Sequence, residues 1–201
     1  MSTVLTPAAV ATSWKERLPT LARNGLTLRE IQPGDAAPLL TLLAGDDVSR
    51  FMSPLPPTLD SFGRFVAWNH EQRSLGLSFC FVVVPDGIDS PVGVFQMRSL
   101  ESAFATAEWG FAIGSPYWGS GLFANAAGLV LDFAFGTVGV GRLEARACAE
   151  NRRGNGALRK LGATPEGVLR RSFLWHGKYY DQVLWSLLDS DWPNAASNHA
   201  R

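Results

Sequence analysis

Two glycines separated by a single residue mark the part of the sequence best suited to binding a ligand. They lie in the segment 117–124, which reads YWGSGLFA and joins a strand-like run, Ala105 to Ile113, to a long apolar helix-like run, Leu122 to Phe135. Glycine permits positive φ and close approach of a ligand, and the N–H groups that open the following helix converge on one point. The segment predicts an anion-binding loop, with an ordinary turn as the alternative.

The residues around this loop do not match the commonest nucleotide motifs. No Gly-Lys-Ser/Thr follows the glycines, and no Gly-x-Gly-x-x-Gly opens a first βαβ unit. A basic stretch further on is a second set of phosphate-binding candidates, with a solvated helix face as the alternative; it comprises Arg152, Arg153, Arg159 and Lys160. A different kind of phosphate carrier is indicated.

The strand before the loop has two contrasting faces. Its period of two places bulky apolar residues from Ala107 to Ile113 on one face and Glu108, Gly110 and Ala112 on the other. The second face sets a carboxylate beside two small residues, which leaves room for a ligand unless a bulge shifts the register. Glu108 is therefore the first candidate for acid–base chemistry.

The remaining elements form one α/β domain in the order βααβββαβαββ, with helices on both faces of one sheet. Upstream of it, Trp14 and Leu18 are expected to dock on the core. The predicted strands are 26–31, 77–84, 91–98, 105–113, 142–148 and two strands joined at His176-Gly177; the predicted helices start near Asp35, Asp60, Leu122 and Asn155.

Bulk composition narrows the classes of partner. The 201 residues are 46% hydrophobic with zero formal net charge, which gives no electrostatic reason to expect nucleic acid or an anionic membrane as partner. No apolar run is long enough for a membrane span, and no signal peptide is recognisable. Cys80 and Cys148 lie in apolar runs without paired spacing, which predicts reduced thiols and a cytoplasmic location. The scattered histidines predict no metal site.

Four motifs taken in order resemble the GNAT superfamily of acetyl-CoA-dependent N-acetyltransferases, in particular its ribosomal-protein (RimJ/RimL-like) branch. They are 107–114, 117–121, Asn151 with 158–163, and the closing pattern 177–188. The resemblance runs from about Leu26 to Trp192. It implies a single GNAT-type domain, 26–192, with a mixed, mostly antiparallel central sheet, preceded by an N-terminal extension, 1–25, and followed by a flexible tail, 193–201.

The resemblance implies acetyl-CoA as co-substrate and transfer of its acetyl group to a primary amine, either a protein N-terminus or a small molecule, by direct attack in a ternary complex. The protein would be a monomer or a homodimer formed through the last strands. The expected CoA-binding residues are Phe111, Ala112, Ile113, Trp118, Gly119, Ser120, Gly121, Leu122, Phe123, Ala124 and Asn151. For Asn151, helix capping is the alternative role. The segment 50–57 would border the acceptor site or serve as a proline-stiffened connector.

The resemblance also makes Glu108 the base that takes the proton of the amine, with an ion pair to an arginine such as Arg146 as the alternative. The proton donor to the departing thiolate is less defined, because Gly154 and Leu158 stand where relatives carry a serine or a tyrosine and Pro116 departs from the loop motif. Water or a tyrosine would serve, the candidates being Tyr117, Tyr179 and Tyr180, with Tyr179 placed in the catalytic set. These departures leave two other functions open, a non-catalytic acyl-CoA-binding module and transfer of a longer acyl group such as succinyl.

Overall fold

A single eight-stranded sheet organises the molecule, of which the computed structural model describes residues 14–52 and 56–193. The strands lie in the order β1-β2-β3-β4-β5-β6-β8-β7, and only β5 and β6 run parallel. The strands are β1 (Leu21–Arg23), β2 (Leu26–Glu30), β3 (Ser78–Pro85), β4 (Gly93–Ser99), β5 (Thr106–Ile113), β6 (Arg142–Cys148), β7 (Thr164–Trp175) and β8 (Lys178–Leu188). The helices are α1 (Ala36–Leu43), α2 (Asp46–Ser49), α3 (Leu59–Ser74), α4 (Leu122–Phe133) and α5 (Arg152–Lys160).

Helices cover both faces of the sheet and so create two hydrophobic clusters. The larger cluster holds α4 and α5 against one face, and the smaller holds α1 and α3 against the other. The central strand β3 is buried on both sides from Ser78 to Val83, as expected for an apolar run in the middle of a sheet. The strand Ala105–Ile113, predicted to alternate, does so: Trp109 enters the larger cluster and Ala112 the smaller.

The predicted fold is confirmed. The predicted list of elements differs from the structure in its short elements. The strand β1 and the four-residue helix α2 were not foreseen, and α5 begins three residues before the predicted start at Asn155. The strand β1 lies inside the segment assigned to the N-terminal extension and pairs with β2. Upstream of it, Trp14 and Leu18 are buried in the larger cluster, as predicted. The proposed flexible tail lies outside the described residues, apart from Pro193.

The helix ends follow local sequence. Thr58 opens α3 with a reciprocal cap, because its hydroxyl accepts from the N–H of Ser61 while the Ser61 hydroxyl accepts from the N–H of Thr58. Gly121 opens α4 in the left-handed region at φ +83°. Within the described residues no helix is both long and apolar enough to cross a bilayer.

Candidate active site

The two parallel strands, β5 and β6, separate about halfway along their length. They share rungs from Thr106↔Arg142 to Glu108↔Glu144, and beyond this point each continues without the other, β5 to Ile113 and β6 to Cys148. Each stays in unbroken register with its outer neighbour, β4 or β8. The sheet therefore opens as a V by separation of its two halves, and the bulge that would have shifted Glu108 to the other face is not present in the β4–β5 pairing.

A cavity of about 770 Å³ occupies the opening. This volume lies within the range typical of ligand pockets, roughly 300–1,000 Å³. Nine of the eleven expected CoA-binding residues line it: Phe111, Ala112, Ile113, Trp118, Gly119, Gly121, Phe123, Ala124 and Asn151. Ser120 and Leu122, the other two, lie in the loop without lining the cavity.

The glycine loop has the geometry of an anion cradle. Gly119 and Gly121 adopt φ of +77° and +83°, and a β-carbon on either would project into open space. The first intrahelical bond of α4 runs from the Asn125 N–H to the Gly121 carbonyl. The Leu122 N–H donates to the Ser120 hydroxyl at 3.3 Å, and the N–H groups of Phe123 and Ala124 are left without intrahelical acceptors. The Ser120 hydroxyl holds the turn by donating to the Tyr117 carbonyl at 2.7 Å. A phosphate group fits this arrangement.

Trp118 connects the glycine loop to both arms of the V, which are the arm that contains β5 and the arm that contains β6 and α5. Its indole N–H donates to the Ile113 carbonyl at the end of β5 at 2.7 Å. The guanidinium of Arg153, at the start of α5, lies over the same indole ring, 4.1 Å from its centroid. This cation–π contact joins the arm that carries the loop to the arm that carries α5.

On the second arm, Asn151 caps α5, since its side-chain oxygen accepts from the Gly154 N–H at 2.8 Å. The capping role considered in the sequence is thus present, and the residue lines the cavity as well. The sequence did not predict a role for Asn155, which is buried and whose side-chain nitrogen and oxygen both form hydrogen bonds. Its amide N–H groups donate to the carbonyls of Cys148 and Asn151, and its oxygen accepts from the Trp185 indole, all at 2.8 Å. These bonds fasten α5 to β6 and β8.

Charged side chains are distributed unevenly around the cavity. Arg152, Arg153 and Lys160 line it from α5, whereas Asp47 is the one carboxylate among its described lining residues. Asp47 belongs to a third wall, formed by α2 and the residues after it, which also includes Val48, Phe51 and Met52. The segment 50–57 considered in the sequence contains Phe51 and Met52 but not Asp47 or Val48, and its residues 53–55 lie outside the described residues. An ion pair of 3.4 Å between Arg50 and Glu150 connects this wall to the turn before α5.

The two predicted catalytic residues lie outside the cavity lining. Glu108 occupies the last β5–β6 rung, where it pairs with Arg98 and lies 3.7 Å from Arg146 Nε, so the alternative of an arginine partner is realised. Tyr179 is half-exposed on the β7–β8 hairpin, with the Arg171 guanidinium 5.0 Å from its ring centroid. Of the three tyrosines considered as proton donors, Tyr117 lines the cavity.

Known proteins share this sequence pattern and fold. The family profile described as "Acetyltransferase (GNAT) domain" matches residues 25–164. The chain is 27% identical over 174 residues to the uncharacterised N-acetyltransferase p20 of Bacillus licheniformis, covering 86% of this chain and 98% of p20. It is 24% identical over 180 residues to the ribosomal protein uS5-alanine N-acetyltransferase of Escherichia coli, covering 86% of this chain and 92% of that enzyme.

A similar fold occurs in Mycobacterium smegmatis RimJ, solved in complex with CoA-disulfide. It aligns with a TM-score of 0.76 at 23% identity over 86% of each chain. The family match spans more than half of the chain and includes the V-shaped opening and the glycine loop. This chain belongs to the GNAT family of acetyltransferases.

Proposed function

We propose that this protein transfers the acetyl group of acetyl-CoA to a primary amine by direct attack within a ternary complex. The observation that carries the proposal is the cradle of Gly119 and Gly121 at the mouth of the V, since both glycines have positive φ and open space beyond the α-carbon. Acetyl-CoA supplies an activated thioester and two kinds of phosphate for such a site. The loop and the α4 N–H groups would hold its pyrophosphate.

The separated edge of β5 supports the same assignment. From Trp109 to Ile113 the strand has no rung with β6, so backbone groups on that side, apart from the Ile113 carbonyl that bonds the Trp118 indole, are available to an extended amide chain such as the pantetheine arm. A backbone N–H of Phe111 or Ile113, which the β4–β5 register directs to that side, would stabilise negative charge that develops on the thioester oxygen. The Asn151 amide nitrogen is a further donor on the opposite arm.

Glu108 is proposed as the base that accepts the proton of the amine. An amine must be neutral to attack, and reference pKa values near 8 for α-amines and 10.4 for lysine leave most of it charged at neutral pH. Its position at the point of the V supports this role, while its pairing with Arg98 supports a purely structural one. The variant Glu108→Gln separates the two, because loss of a base lowers turnover most at lower pH and leaves acetyl-CoA binding intact.

The direct test is thiol release from acetyl-CoA over a panel of amines, with calorimetry of acetyl-CoA binding beside it. Binding together with acetylation of at least one amine supports the proposal. A second candidate function, a non-catalytic acyl-CoA-binding module, is favoured by Gly154 and Leu158, since the first has no side chain and the second is buried. It predicts binding without transfer to any amine. Comparing acetyl-CoA with succinyl-CoA in the same assay decides between short and longer acyl donors.

A further inference from the structure

Two carboxylates face each other across the last rung of the parallel pair. Glu108 and Glu144 are direct partners on β5 and β6, and their side chains are only 17% and 15% exposed. Like charges opposite each other in a sheet are unfavourable, more so where water is partly excluded. A cation bound between them would relieve this repulsion.

The available cations compensate Glu144 incompletely. One oxygen of Glu144 accepts from Arg142 Nε at 2.9 Å, but the other two guanidinium nitrogens of Arg142 bond the carboxylate of Glu166 at 2.8 and 2.5 Å. One guanidinium therefore serves two carboxylates. Among the described residues none donates a hydrogen bond to Oε2 of Glu144, which leaves that atom able to accept from a ligand.

Cations project from the same face above the two carboxylates. Arg98 and Arg146, the two ion-pair partners of Glu108, are 57% and 41% exposed, and by strand register both lie on the face of Glu108 and Glu144. On this surface the two carboxylates are less exposed than the two arginines, and Arg142 and Glu166 form a further ion pair beside Glu144. We call this surface the carboxylate groove, with Glu108, Gly110 and Glu144 as its floor and the two arginines as its rim.

The carboxylate groove leads towards the cavity. Gly110 lies between Glu108 and Ala112 on this face of β5, and a β-carbon at Gly110 would meet nothing within 4 Å. Ala112, the next residue on the same face, lines the cavity in which acetyl-CoA is proposed to bind. A ligand at the two carboxylates, where the strands separate, can thus extend over Gly110 towards the cavity.

We infer that the carboxylate groove binds the acceptor, and that the acceptor is an amine with an anionic group within a few bonds of it. The inference rests on the proposed function, because it names the substrate class for the same reaction. The ammonium group of such a molecule would lie against Glu108 and Glu144, and its anionic group against Arg98 and Arg146. A polyamine would instead place its extra positive charges beside the two projecting guanidinium groups. Acidic amino acids and polypeptide N-termini followed by acidic residues share the required chemistry.

The test compares two peptides that differ only at their second and third residues, which are glutamate in one and lysine in the other. Free glutamate and spermidine are measured in parallel, at saturating acetyl-CoA and low ionic strength. We expect kcat/KM for the acidic peptide to exceed that for the basic peptide by roughly tenfold, since each of two half-exposed ion pairs contributes about three- to fivefold. The ratio should shrink at high salt, which screens charges this exposed. Acetylation of glutamate would identify a small acceptor, and acetylation of the peptide alone a polypeptide N-terminus.

The variants Arg98→Gln and Arg146→Gln should each lower the acidic-to-basic ratio about three- to fivefold, mostly through KM. A variant that had merely lost structure would lower both rates together and leave the ratio unchanged. The matched control is Arg64→Gln, an exposed arginine that forms an i,i+4 pair with Asp60 on α3. Calorimetry of the acidic peptide with the CoA-saturated protein should show the same order of affinities.

Equal rates for the two peptides, a preference for the basic peptide or for spermidine, or a ratio unaffected by both arginine variants would overturn the inference and leave the acetyltransferase proposal standing. Acetyl-CoA binding without transfer to any member of the panel would remove both.

Discussion

The substitution Gly121→Ala tests the anion cradle with a single added methyl group. Gly121 begins α4 at φ +83°, and its β-carbon would enter open space, so the free protein has no clash to relieve. The methyl group would instead be added to a residue that lines the cavity, within the loop proposed to hold the phosphate. A phosphate group needs that region, so we expect the variant to fold and to bind acetyl-CoA weakly.

Two effects on stability oppose each other. A left-handed backbone costs an L-residue about 1–2 kcal/mol, and replacing glycine returns about 0.4–1 kcal/mol by restricting the unfolded chain. The net loss is about 1 kcal/mol, which lowers Tm by roughly 2–4 °C in a domain of this size. Losing one hydrogen bond to a charged phosphate costs about 1.5–3 kcal/mol, which weakens Kd roughly 10- to 100-fold.

Gly139 provides a matched control. It has φ +85°, its β-carbon would also meet nothing within 4 Å, and it does not line the cavity. Gly139→Ala should therefore show a similar fall in Tm with an unchanged Kd. Thermal unfolding and calorimetric titration with acetyl-CoA on both variants separate backbone strain from loss of the binding site. If the two variants bound acetyl-CoA equally well, the glycine loop would not be the phosphate cradle.

Three further outcomes follow from buried or paired groups. Trp14→Ala should lower the free energy of unfolding by about 3–5 kcal/mol in denaturant titrations, because the indole packs edge-on against Phe79 at 5.7 Å inside the core. Burial raises the pKa of the Cys80 thiol to about 12, so thiol reagents at pH 8 should label it only after unfolding; rapid labelling of the native protein would contradict this. Hydrogen bonding to Arg142 lowers the pKa of Glu166 to about 2 from a reference of 4.5. Its stabilising effect is therefore present above about pH 4.5 and lost towards pH 2, so wild type and Glu166→Gln should differ in stability at pH 6 and converge near pH 2.

Sequence periodicity predicted the elements that place the site, because they are long and strongly patterned. The strand Arg142–Cys148 has the predicted bounds, and the apolar run after Gly121 is the helix α4. Short elements were not predicted, because they carry little pattern. The strand β1 has three residues and exists because Leu21 to Arg23 pair with β2. A three-residue window carries too little pattern to distinguish a strand from a loop.

Within the site, the sequence indicates residues whose role depends on backbone conformation. It does not indicate contacts that depend on the register between strands. Gly119 and Gly121 could be recognised because few other residues tolerate positive φ before a helix. The pairing of Glu108 with Arg98 follows from the β4–β5 register, and its position opposite Glu144 from the parallel rung. Neither register can be read from composition or from one strand alone.

The helix α5 has no side-chain proton donor at Gly154 or Leu158, and the cap of the helix explains the glycine. A β-carbon at Gly154 would lie 2.6 Å from the amide nitrogen of Asn151, so a serine there would require the Asn151 side chain to move and would weaken its 2.8 Å bond to the Gly154 N–H. Leu158 is 1% exposed and packs into the larger cluster. The first two turns of α5 are therefore built for packing and capping. A coenzyme thiolate, with a reference pKa near that of cysteine at about 8.5, leaves without a strong acid, and Tyr117 lies in the cavity wall on the opposite arm. We therefore propose Tyr117 or water as the proton donor in this chain.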